Sequence, residues 1–191
     1  MKYVTVIGTG IMAAGIAAGF VAKSIPVVIL GRSKEKAEAC LDKALTLAGK
    51  IGFSGANSQK DHAAIRASQT TEILEQWKDW TNCEWVIETI AENLALKQEI
   101  FKYLDEVVPD HIPIGSNSSG FPISKIALGL KTANRMMGAH YFMPAEVVPL
   151  VEIVMGEKTE LSFANKACQL YKDIDKKPVL VKKDIPGFLA N

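Results

Sequence analysis

The sequence predicts an α/β protein built on a doubly wound, mostly parallel sheet, and three observations carry that expectation. Short β-branched runs that read as strands alternate with helix-like stretches along the 191 residues. The first run ends in glycines, and strand, helix and strand follow one another within about 30 residues, the length of one βαβ unit. The first run is β-branched throughout and does not alternate, as in a strand covered on both faces.

Val4-Thr5-Val6-Ile7 is the first such run, stopped by Gly8. Residues 11–23 follow as a helix filled by Ala13, Ala14, Ile16, Ala17, Ala18, Phe20 and Val21, and Pro26 closes it before the strand Val27-Val28-Ile29-Leu30. A polar helix is expected over residues 33–50, with Ser33 as N-cap and Lys36-Ala37-Glu38-Ala39 as strong helix formers. Residues 49–69, with Gly52, Gly55, Asn57 and Ser58, read as a loop and a short helix outside the main sheet. Trp85-Val86-Ile87-Glu88-Thr89 is the next strand. The helix at 94–107 places Leu94, Ile100, Phe101, Leu104 and Val108 near helical spacing and ends at Pro109. Residues 112–117 resemble a strand running into a polar loop, with Pro113 unsuited to pairing at its start. A short helix at 123–130, strands at 136–142 and 151–154, a helix at 161–174 and a last strand at 178–181 complete the alternation. There is no internal repeat.

Composition narrows the function. Lys plus Arg number 22 against 21 Asp plus Glu, so the basic excess of a nucleic-acid or anionic-membrane binder is missing. The 48% apolar content excludes a disordered chain. The length suits one domain, placed at 1–186, with 187–191 as the start of a link. Cys40, Cys83 and Cys168 are far apart and form no CxxC, which argues against disulfides and a zinc site and for a reducing, cytoplasmic setting. No export signal opens the sequence, and no apolar run reaches about 18 residues.

Gly8-Thr9-Gly10-Ile11-Met12-Ala13 matches G-x-G-x-x-G/A between a strand and a helix, the setting that motif requires. Gly8 permits the tight turn, Gly10 lets a pyrophosphate approach the backbone, Ala13 allows close helix–strand packing, and N–H groups of the helix bind the phosphate. The alternative is a glycine turn that merely packs. Inside a βαβ unit the motif points to a Rossmann-type dinucleotide site. NAD usually meets an Asp or Glu at the end of the second strand, and here Leu30-Gly31-Arg32-Ser33-Lys34 carries none. Arg32 can grip a 2′-phosphate bidentately, with Ser33 and Lys34 as further donors, which favours NADP over NAD. Arg32 stacked on adenine, or simply solvated, is the alternative.

Of three histidines, His62 and His111 fall in segments that read as surface loop. His140 stands near the far end of a strand, at the edge where open α/β sheets bind ligands, and Glu152 lies twelve residues later on another. A histidine held by a carboxylate is a general base with a fixed tautomer and a stabilised cation, as removal of an alcohol proton during hydride transfer requires. A buried, structurally satisfied histidine is the alternative.

Five ordered motifs then make a resemblance: Gly8 to Ala17; Glu88-Thr89-Ile90-Ala91-Glu92-Asn93-Leu94-Ala95-Leu96-Lys97; Ser116-Asn117-Ser118-Ser119; His140-Tyr141-Phe142-Met143-Pro144 with Pro149-Leu150-Val151-Glu152; and Asp184-Ile185-Pro186-Gly187-Phe188. Over essentially the whole chain this resembles the NAD-binding domain of the L-3-hydroxyacyl-CoA dehydrogenase family, enzymes of fatty acid metabolism. The resemblance implies His140 as catalytic base, Glu152 as its orienting partner, and Ser119 and Asn191 as hydrogen-bond donors to the substrate oxygen. It places Glu92 and Lys97 near the nicotinamide ribose, and Gly8, Gly10, Ile11, Met12, Ala13 and Asn117 with the coenzyme; Arg32 and Ser33 join them from the reading above. From the residues alone, Glu92 and Lys97 read equally as a helix-start acid and a solvated lysine. It implies a small-molecule substrate, a 3-hydroxyacyl-CoA or a related 3-hydroxy acid. It also implies a second, all-helical domain absent from this chain, through which the full enzyme forms a homodimer. Gly31-Arg32 and Met143, where the family commonly has Asn, depart from the pattern. Gulonate and carnitine dehydrogenases of the same superfamily fit Pro149 to Glu152 about as well, and a non-catalytic dinucleotide-binding module is a further alternative.

Overall fold

Strand register and helix burial follow the apolar pattern closely. The structure is a computed structural model that describes residues 2–52, 66 and 68–189. Two compact units divide the chain, Met1–Glu84 with Met143–Val148 and Trp85–Phe142 with Pro149–Asn191.

In the first unit, β1 (Tyr3–Ile7) and β2 (Val27–Gly31) are buried at every position and pair in parallel, Val4 opposite Val27 and Ile7 opposite Leu30. Between them α1 (Ile11–Val21) is buried from Ala13 to Val21, so it has no polar face to give to solvent. Small residues make that possible: a Cβ on Gly15 would meet the Glu146 carboxylate at 2.7 Å and Ala145 at 3.1 Å. Ser33 caps α2 (Lys34–Lys50), which buries Ala37, Cys40, Leu41, Ala44 and Ala48 at helical spacing. A strand the sequence reading left out, β3 (Thr70–Ile73), pairs in parallel with β2, and its partial exposure fits the edge of the sheet. The loop and short helix expected over 49–69 lie mostly outside the described residues, as does His62.

In the second unit, β4 (Cys83–Glu88, its first two residues in the other unit), β5 (Ile114–Ser116) and β6 (Met136–Tyr141) are parallel neighbours. The antiparallel β7 (Leu150–Met155) follows, and β8 (Lys177–Val181) lies parallel to it. β5 begins after Pro113, and Pro178 sits in β8, whose one described neighbour is β7, where a missing N–H is tolerated. Asn93 caps α3 (Leu94–Val107) through its Oδ1, which accepts from the Leu96 N–H at 3.0 Å. A single turn, α4 (Ile123–Ile126), replaces the longer helix expected at 123–130, and α5 (Leu161–Asp173) buries Ala164, Ala167 and Tyr171. The Tyr171 hydroxyl accepts from Trp85 Nε1 at 3.1 Å, fixing α5 against β4. The fold is the Rossmann-like arrangement of a mostly parallel sheet with flanking helices.

Candidate active site and coenzyme site

In the first unit β1 runs into Gly8, whose φ of 126° is one that side chains rarely allow. The Gly8 N–H donates to the Leu30 carbonyl at 2.9 Å, tying the turn to the end of β2. Gly10, the N-cap of α1, has ordinary extended backbone, so conformation does not demand glycine there. Nor does the chain's own packing: a Cβ built on Gly10 meets nothing within 4 Å, so no chain atom fills the approach to this backbone and it is open to a ligand. Beside it opens a cleft of about 340 Å³ lined by Gly10 and Ile11 from the turn and by Lys36 and Lys43 from α2. The first turn of α1 carries no acidic residue, and its N–H groups lack helical partners, the arrangement an anionic phosphate requires. Ala13 is fully buried while Ile11 is 63% exposed, which separates the packing position of the motif from the ligand-facing one. These residues fit a dinucleotide.

At the end of β2 a Cβ on Gly31 would meet Thr9 Cγ2 at 2.7 Å, so the bare backbone lets the glycine turn lie against it. Arg32 follows, exposed. Ser33 Oγ accepts from the Lys36 N–H at 3.4 Å, and its hydroxyl lies within hydrogen-bond reach of the Glu35 carboxylate. Lys34 Nζ is 3.8 Å from Glu72, whose other oxygen accepts from the Ile73 N–H at 3.0 Å.

In the second unit the antiparallel ladder sets His140 directly opposite Glu152. Directly opposed residues share a face, and His140 Nδ1 lies 2.8 Å from Glu152 Oε2, with both residues buried. The other carboxylate oxygen accepts from the Leu189 N–H at 3.1 Å. The imidazole is flanked by Phe142 at 4.6 Å and Phe188 at 5.4 Å between ring centroids. Asp184, five residues before Leu189, accepts from the Ile123 and Ser124 N–H groups at 3.1 and 2.6 Å, so the segment over the histidine is held near both ends. With the carboxylate ionised, Nδ1 carries the proton and Nε2 keeps a lone pair.

Lys97 is no solvated lysine. It occupies the buried stripe of α3 with Phe101 and Leu104, and its ammonium lies 2.7 Å from Glu88 and 3.4 Å from Glu92. Glu92 also accepts from the Ser118 hydroxyl at 2.6 Å and the Gly120 N–H at 2.9 Å. Burial acts to raise its carboxyl pKa, but these donors and Lys97 outweigh it and hold the group below the ordinary range. Asn117 Oδ1 accepts from the Tyr141 N–H at 2.8 Å, so this side chain braces β5 against β6. Ser119 is exposed on the loop after β5, and Asn191 lies outside the described residues. Glu88 is a buried partner in this cluster that the motifs alone do not single out; the available signal is an acid closing the apolar run Trp85-Val86-Ile87.

An open glycine turn within a βαβ unit, set in a mostly parallel sheet, defines a Rossmann-type dinucleotide-binding domain. Residues 3–185 match the family described as 3-hydroxyacyl-CoA dehydrogenase, NAD binding domain, and the chain belongs to it. The peroxisomal fatty acid beta-oxidation multifunctional protein MFP2 of Arabidopsis thaliana is 30% identical over 192 residues, covering 100% of this chain and 26% of that protein. The 5-formyl-3-hydroxy-2-methylpyridine 4-carboxylate 5-dehydrogenase of Mesorhizobium japonicum is 27% identical, over 100% of this chain and 60% of its own length. The crystal structure of (S)-3-hydroxybutyryl-CoA dehydrogenase PaaH1 from Ralstonia eutropha superposes with a TM-score of 0.88 at 28% identity, covering 100% of this chain and 66% of that one. The chain thus spans about a quarter of the first relative's length and under two thirds of the second's.

Proposed function

We propose that this chain supplies the coenzyme site and the acid/base pair of a dehydrogenase that interconverts an L-3-hydroxyacyl-CoA and its 3-oxo form. The observation that carries the reading is the buried His140–Glu152 pair, one hydrogen bond long, on adjacent strands of a dinucleotide-binding domain. A bound dinucleotide supplies the hydride acceptor; Gly8, Gly10 and the first turn of α1 hold its pyrophosphate. His140 Nε2 takes the hydroxyl proton, and Glu152 stabilises the imidazolium that forms. In reduction the imidazolium returns that proton. Ser119 and Asn191 take the role of donors to the substrate oxygen that the family resemblance gives them.

The coenzyme is NADP in preference to NAD, because Arg32 replaces the acid that would repel a 2′-phosphate and Ser33 and Lys34 add donors beside it. A second reading, a hydroxy acid without CoA, is favoured by the relative named for a pyridine carboxylate. Activity of the enzyme containing this domain with acetoacetyl-CoA separates the two. In that enzyme His140→Ala is expected to lower turnover by a general-base factor of roughly 10²–10⁴ while coenzyme affinity stays within about twofold. Unaltered turnover would rule out His140 as the base.

A further inference from the structure

We infer that Glu88 is a positioning residue for coenzyme binding: with Ser116 it fixes the Lys97 ammonium beside Glu92 at the ends of β4 and β5. The inference rests on the reading of Lys97 and Glu92 as coenzyme residues. Glu88 is fully buried and saturated with donors. Its Oε1 accepts from Lys97 Nζ at 2.7 Å and the Ile90 N–H at 2.6 Å, and its Oε2 accepts from the Ser116 hydroxyl at 2.6 Å. A carboxylate so enclosed has no route to a ligand of its own. Ser116 in turn accepts from the Ser118 N–H at 3.2 Å, so the strand-end loop is built onto the same carboxylate.

Lys97 is different. An ammonium has three N–H donors. One goes to Glu88, a second faces Glu92 at a long 3.4 Å, and among the described residues the third has no acceptor. A buried pair kept for stability alone gains little over apolar residues of the same size, and an unmatched donor makes it worse. Glu92, with a side chain 40% exposed, is where this cluster meets solvent. An acceptor held there matches a sugar hydroxyl, which donates to it, and the Lys97 ammonium, its side chain 1% exposed, holds that acceptor from behind. Glu88 sets where that ammonium stands.

Fluorescence titration of the 191-residue chain with NADH and NADPH tests this through double-mutant cycles. Lys97→Met is expected to weaken coenzyme binding about tenfold, and Glu88→Gln by a similar factor, while Glu88→Gln added to Lys97→Met costs nothing more. Ser116→Ala, which leaves no buried charge unpaired, is expected to weaken binding about two- to threefold in the parent chain and not at all beside Lys97→Met. It decides the matter if Glu88→Gln fails to fold. Losses that multiply would show Glu88 and Ser116 acting without Lys97 and overturn the inference. A parent-like Glu88→Gln or Ser116→Ala beside a weakened Lys97→Met would overturn it too, leaving the coenzyme reading intact. An unchanged Lys97→Met would remove the coenzyme reading of Lys97, and this inference with it.

Discussion

The hydrogen bond at Nδ1 decides which nitrogen of His140 keeps its lone pair. Glu152 accepts at 2.8 Å, and an ionised carboxylate can only accept, so the proton is fixed on Nδ1. Glu152→Gln keeps the shape and reverses this logic: an amide N–H turned toward Nδ1 places the ring proton on Nε2, the nitrogen that the proposed mechanism uses as base. Turnover by the enzyme containing this domain is therefore expected to fall about as far as in His140→Ala, by roughly 10²–10⁴, at nearly constant coenzyme affinity. Steady-state rates beside a coenzyme titration check this. Equal losses in both would mean that Glu152 serves folding rather than tautomer. The types of both residues and their twelve-residue spacing were legible in the sequence; their direct opposition was not, because it depends on β7 running antiparallel to β6.

Elements are held by contacts of two kinds, steric and electrostatic. Gly115 in β5 illustrates the first: an added Cβ would meet the Trp85 ring at 2.6 Å and Ala139 Cβ at 2.8 Å, on the strands to either side. Gly115→Ala is expected to destabilise by about 1–3 kcal/mol through overpacking, read as a lower urea midpoint at unchanged slope. A midpoint equal to the parent's would show that Trp85 moves aside freely. Asp105 on α3 illustrates the second, accepting from the Lys131 N–H at 3.0 Å, the Thr132 N–H at 2.9 Å and the Thr132 hydroxyl. Burial acts to raise its carboxyl pKa, but those donors and Arg135 prevail and lower it from 3.8. A carboxyl lowered on folding stabilises fully above its unfolded value and loses that contribution as pH falls through the folded one. The stability gap between the parent and Asp105→Asn is thus expected to be constant above about pH 5 and to shrink below about pH 4. A gap that does not vary from pH 3 to 7 would contradict it. Helices were legible because caps and apolar spacing are local: Ser33 caps α2 as its sequence position suggests. The burial of Lys97 was not, since a charge on an apolar stripe reads as solvent-facing until its buried partner Glu88 is known.

At the scale of the whole molecule, the alternation of strand and helix was enough to give the fold class, and ordered motifs gave the family. What it lacked were features set by distant partners. β3 is a four-residue edge strand with exposed Thr70, too short and too polar to stand out, and it exists by pairing with β2. Residues 123–130 keep one helical turn and then reach Gly129 at φ 78°, a left-handed backbone position that the local pattern does not display. The glycine turn and Arg32 together form the proposed nicotinamide dinucleotide site, and parallel fluorescence titrations with NADH and NADPH test it most directly. Both coenzymes are expected to bind, NADPH more tightly, with Arg32→Asp reversing the order. Tighter NADH binding in the parent chain would contradict the role given to Arg32, and binding of neither would contradict the site itself.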